Sequence, residues 1–70
     1  MELSAATTNY IAWWTVRGTG PYKVDKPFTT WAEGLILLYQ LPRKAAEAIV
    51  CVDGVRRGYV LSVHTWKRVY

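Results

Sequence analysis

Two side chains in this sequence have the chemistry of a nucleophile and its base: Cys51, the single cysteine, and His64, the single histidine. A thiolate generated beside an imidazole attacks electrophilic carbon only where both groups reach one wet cleft. Cys51 lies instead in the apolar run Ile49-Val50-Cys51-Val52, where a thiol behaves as a small buried hydrophobe. His64 has Ser62 and Trp66 as its alternating neighbours, which supply neither a carboxylate nor a second metal ligand. The glycine cluster Gly18-Thr19-Gly20 leads into Pro21 and another strand-like run, so no helix N-terminus follows to hold a phosphate. No catalytic residue, metal site or cofactor is expected, and the chain reads as non-enzymatic.

Recognition chemistry is better represented. Trp13 and Arg17 fall on one face of an extended run, and His64, Trp66, Arg68 and Tyr70 on one face of another. Rings interleaved with cations stack on the bases of single-stranded nucleic acid, and the same residue types dominate protein hot spots. Arg56 and Arg57, between Gly54 and Gly58, add two guanidinium groups suited to carboxylates or phosphates. Ile36, Leu37 and Leu41 form a third, apolar group.

The elements that must position these residues can be read from punctuation and period. Residues 1–9 are small and polar, without periodicity, and read as a frayed tail. Tyr10 to Arg17 is rich in aromatic and β-branched residues and ends at Gly18, so it reads as a strand. Tyr22 to Lys26 alternates apolar and charged residues, which makes the second arm of a hairpin. Pro27-Phe28 breaks that ladder, and Thr30-Trp31-Ala32-Glu33 has capping-box spacing, predicting a helix from near Thr30 to near Pro42. Beyond Pro42 a kink or a short second helix is expected through Ala48. On the main helix Glu33, Gln40 and Lys44 share a polar stripe opposite Trp31, Leu35 and Leu38, which should face the sheet. Leu37 falls inside that stripe with Ile36 and Leu41 flanking it, so a second buried surface is expected there: a homodimer contact or a partner protein.

Ile49 to Val52 reads as a buried strand. Asp53-Gly54 suits a two-residue turn pairing Val52 with Val55, but a longer loop through Gly58, carrying both arginines at its tip, keeps both charges hydrated and is preferred. From Tyr59 the chain alternates to its end as one closing strand. The fold class expected is therefore α+β, β-β-α-β-β: a four-stranded antiparallel sheet with one main helix across a face.

Seventy residues make a single small domain, and 51% apolar content with four Trp and five Tyr suffices to fold it without a staple. The lone cysteine excludes an internal disulfide and fits a reducing cytoplasm. No window reaches the ~18 apolar residues of a membrane span, and the N-terminus lacks an export signal, so no membrane partner is expected. The net charge of +4 disfavours an acidic mimic of DNA and permits acidic partners.

This order of strand, strand, helix capped at Thr30-Trp31-Ala32-Glu33, strand and closing strand, over residues 10 to 70, resembles very small phage-encoded inhibitors. Among these are anti-CRISPR proteins and phage inhibitors of host RNA polymerase. The resemblance implies stoichiometric binding: a rigid domain that occludes a host or defence-system protein complex without catalysis. The alternative function is a small basic nucleic-acid-binding protein.

Overall fold

The computed structural model describes residues 9–24 and 27–70. Residues 1–8 of the expected tail, and Asp25 and Lys26 of the expected second strand, lie outside the described residues. The class is α+β, with an antiparallel sheet covered on one face by one helix. In chain order the elements are β1 (Tyr10–Trp14), β2 (Tyr22–Val24), α1 (Trp31–Tyr39), β3 (Glu47–Val52), β4 (Val55–Ser62) and β5 (Thr65–Arg68). The sheet order is β2-β1-β3-β4-β5, each neighbouring pair antiparallel.

Five strands form rather than four because the expected closing strand folds back on itself. Ser62 pairs with Thr65 across a turn of two residues, Val63 and His64, and Val63 sits at φ 60°. A β-branched residue at positive φ is a rare turn former, so alternation alone read straight through it. The preceding turn corrects the second expectation. Val52 pairs with Val55, and Asp53 (φ 53°) and Gly54 (φ 79°) occupy the left-handed positions that a two-residue hairpin requires. Arg56 and Arg57 are therefore strand residues of β4 and not a loop tip.

α1 begins as its capping box specifies. The Glu33 amide donates to Thr30 Oγ1 at 3.2 Å, while Glu33 Oε1 accepts from the Thr29 amide at 3.0 Å and the Thr29 hydroxyl at 2.8 Å. These donors hold the Glu33 carboxyl below its ordinary value, the Thr29 amide contributing most. The helix ends at Gln40, and Pro42 to Ala45 forms one turn closed by the Ala45 amide on the Pro42 carbonyl, so neither a kinked continuation nor a second helix follows. β3 begins at Glu47, because the apolar run prefers the centre of the sheet to a solvated helix.

The main core lies between α1 and the sheet: Ile11 and Trp13 of β1, Ala48, Val50 and Val52 of β3, Tyr59 of β4, with Phe28, Leu38 and Ala45. The helix settles on the sheet through Gly34 and not through Leu35. A side chain at 34 would place its Cβ 2.5 Å from Val50 Cγ1 and 2.9 Å from Phe28 Cε2, so the missing side chain permits the approach. This rotates α1 relative to the expectation: Leu35 is 37% exposed, and Leu37 is half-buried against the core. On the sheet's other face Tyr10, Ala12 and Cys51 are fully buried together, and burial pushes the Tyr10 phenol above its ordinary range.

Candidate functional site

The residues singled out from the sequence separate into three groups. Trp13 belongs to the core: it is 9% exposed and meets Tyr22 edge-on at 5.4 Å, so it is unavailable to a partner. Arg57 borders the core. Its guanidinium lies 4.0 Å over the Trp31 ring, which settles the problem that two adjacent arginines on a strand create, since one must point inward. Arg56 is exposed on the opposite face, paired with Cys51. Arg68 is exposed and pairs with Tyr59. Tyr70 does not line up with Trp66 and Arg68 as a stacking platform. The Gly58 amide donates to the Tyr70 carbonyl while the Val69 amide donates to the Gly58 carbonyl, and the Tyr70 ring covers the space where a Gly58 side chain would stand. Two residues thus oppose one, as in a bulge, which swings the ring out of the alternation.

Three expected residues do meet. At the end of the sheet where α1 finishes, Leu41, His64 and Trp66 line a groove of about 450 Å³ with Tyr39, Pro42, Arg43, Leu61 and Val63. Arg17 does not share a strand face with Trp13 as expected, because β1 ends at Trp14; it follows in the turn, its Nη2 donating to the Leu61 carbonyl at 2.8 Å at the same end of the sheet but outside the groove's lining. The Val63–His64 turn builds this site. By reversing the chain it opposes Trp66 to Leu61, so the indole joins the helix side of the sheet.

The groove continues onto α1. Ala32, Leu35, Ile36 and Tyr39 recur at i, i+3, i+4 and i+7 and all face solvent, with Ile36 58% and Tyr39 60% exposed. Tyr39 belongs to both surfaces. Ile36, expected on a contact surface, is exposed on this stripe, whereas Leu37 turns away toward Phe28 and, with Pro27, Glu33 and Ile36, lines a smaller hollow. Leu35, Tyr39 and Arg43 were missed. The signal for Leu35 and Tyr39 is the i, i+3, i+4, i+7 spacing from Ala32, hidden by placing Leu35 in the core and by Gly34's lack of hydrophobic weight, whereas Arg43, beyond the helix, carries no such signal.

Cys51 and His64 do not form a pair. Cys51 is fully buried and pairs with Arg56 near the start of β4, whereas His64 is exposed in the turn beyond that strand's other end. Among the described residues no three His, Cys, Asp or Glu side chains are grouped as metal ligands, and no helix is long and apolar enough to cross a membrane. A scan against protein-family models, a search of curated proteins and a search of solved structures each return no match to this chain.

Proposed function

We propose that this chain is a non-catalytic protein-binding module that acts by occupying a partner's surface, as an inhibitor or adaptor. The phage-encoded, host-occluding form implied by the resemblance is the specific version of this reading. The observation that carries it is the continuous apolar surface from Leu35 and Ile36 through Tyr39 into the groove. A 70-residue chain needs its large apolar residues for its core, and leaving three consecutive members of one helical stripe in water is costly unless another surface covers them. Aromatic and Arg side chains around a partly enclosed centre are also the composition of protein hot spots.

The alternative, binding of single-stranded nucleic acid, is supported by Tyr39, Trp66 and Arg43 at one groove. It is weakened by the dispersal of the other rings, Trp13 into the core and Tyr70 over Gly58, since a strand-binding surface needs successive stacking positions. Affinity capture from the native host with wild type and with Ile36→Glu tests the choice. A protein retained by wild type, lost by the folded variant and insensitive to moderate salt supports the protein-binding reading. Retention of nucleic acid that falls linearly with log salt supports the alternative.

A further inference from the structure

We infer that the groove at the end of α1 takes an acidic segment of the partner protein, with an apolar side chain seated between Leu41 and Trp66 and a carboxylate on Arg43. This rests on the protein-binding reading and adds the chemistry of the segment. The lining is one-sided in charge: it includes Arg43 and no Asp or Glu. The carboxylate at the start of β3, Glu47, is already engaged: its Oε1 accepts from Trp14 Nε1 at 2.5 Å and from the Gly18 amide. The other described carboxylates belong to the far end, Glu33 in the helix cap and Asp53 in the β3–β4 turn. The C-terminus of α1 contributes a partial negative charge of about half a unit, which falls off within a turn and is outweighed by the full charge of the Arg43 guanidinium. A volume of about 450 Å³ lies within the ~300–1,000 Å³ range of ligand clefts and accommodates an aromatic or branched side chain with its backbone neighbours.

The test is selection of random dodecapeptides displayed against the immobilised chain, followed by fluorescence titration of an enriched peptide. Enriched peptides should carry an apolar or aromatic residue flanked by Asp or Glu. Arg43→Glu, a change at an exposed turn residue, should weaken their binding at least about tenfold, and a peptide with Lys for the flanking acid should recover affinity for that variant. Enrichment of neutral or basic peptides, no enrichment, or binding unmoved by Arg43→Glu overturns the inference. So does oligo(dT) that binds the groove in place of such peptides with a steep salt dependence. Capture of the native partner separates the two levels. If Ile36→Glu abolishes it and Arg43→Glu leaves it unchanged, the acidic segment is wrong and the protein-binding surface stands; if neither variant changes it, both are wrong.

Discussion

At the end of the sheet where α1 begins, three contacts tie the elements together. Gly34 seats the helix against Val50 and Phe28, Arg57 covers Trp31, and Asn9 ties two segments together, accepting from the Asp53 amide at 2.8 Å and donating to the Phe28 carbonyl. The turn there, Asp53-Gly54, is made of residues that tolerate positive φ. At the end where α1 finishes, the same sheet and helix diverge around a groove, and the turn beside it places an 85% exposed valine at positive φ. The difference teaches a division of labour. One end holds the fold together, and the other accepts local strain and exposed apolar surface where recognition is proposed. Substitutions at the closed end should therefore move stability, and those at the open end should move binding.

The largest expected effect is at Gly34. In the helix interior alanine is better than glycine by about 1 kcal/mol on propensity alone, yet the new Cβ would stand 2.5 Å from Val50 Cγ1. Overpacking of a tight core costs about 1–3 kcal/mol, and Val50 is a short, β-branched, fully buried side chain, so the steric term wins. Gly34→Ala should lower the denaturant midpoint, with Gly34→Val worse, while the folded fraction keeps its partner affinity. A stabilised Gly34→Ala would show that α1 does not rest on the sheet at this point.

The strain at the open end should be removable. A non-glycine residue in the left-handed region costs about 1–2 kcal/mol, against which glycine loses about 0.5–1 kcal/mol of unfolded-state entropy. Val63→Gly should thus gain on the order of 0.5–1 kcal/mol, seen as a rise of a few degrees in Tm. Because Val63 lines the groove, the same variant should bind partner more weakly. A variant that loses stability would place the turn's origin in a contact of the Val63 side chain instead.

Two arginines sharpen the contrast at smaller magnitude. Arg57→Ala should cost about 0.5–1 kcal/mol through loss of the cation–π contact with Trp31 and leave groove binding unchanged. Arg43→Ala, at an exposed turn position, should do the reverse. Chemical denaturation and peptide titration of both variants check this double dissociation.

Much of the closed end was legible in the sequence, and the reasons are local. Thr30 and Glu33 form the capping box that their spacing announces, and Tyr10–Trp14 and Glu47–Val52 are strands whose aromatic and β-branched content permits little else. Asp53-Gly54 is legible as a hairpin dipeptide, but keeping Arg56 and Arg57 hydrated favours a longer loop. The Trp31 ring, distant in sequence, supplies the environment that made the strand placement of Arg57 affordable. The open end was not legible, because it depends on Val63 turning against its own preference, and one unread turn exchanges the faces of every later residue. Gly34 misled the helical face for a related reason: a residue with no side chain leaves no mark in an apolar pattern, although it decides where the helix can approach.

The smallest effect, and the one with a signed pH dependence, belongs to the helix cap. The Thr29 amide and hydroxyl and the Thr30 hydroxyl lower the Glu33 carboxyl below its ordinary value of 4.5, so the native state favours the charged form. The contribution is then fully present above that ordinary value and is lost as pH falls through the lowered native value, because protonation removes what the folded state holds more tightly than the unfolded one. Glu33→Gln keeps an oxygen acceptor for the Thr29 amide and removes only the charge. Wild type should melt above Glu33→Gln at neutral pH, and the gap should narrow as the solution is acidified through and below 4.5. Glu33 is exposed, so added salt should shrink the neutral-pH gap. A gap that is constant across pH would mean that the glutamate acts through its shape and hydrogen bonds alone. In that case the charge at the start of α1 would contribute nothing to the rigidity of the closed end.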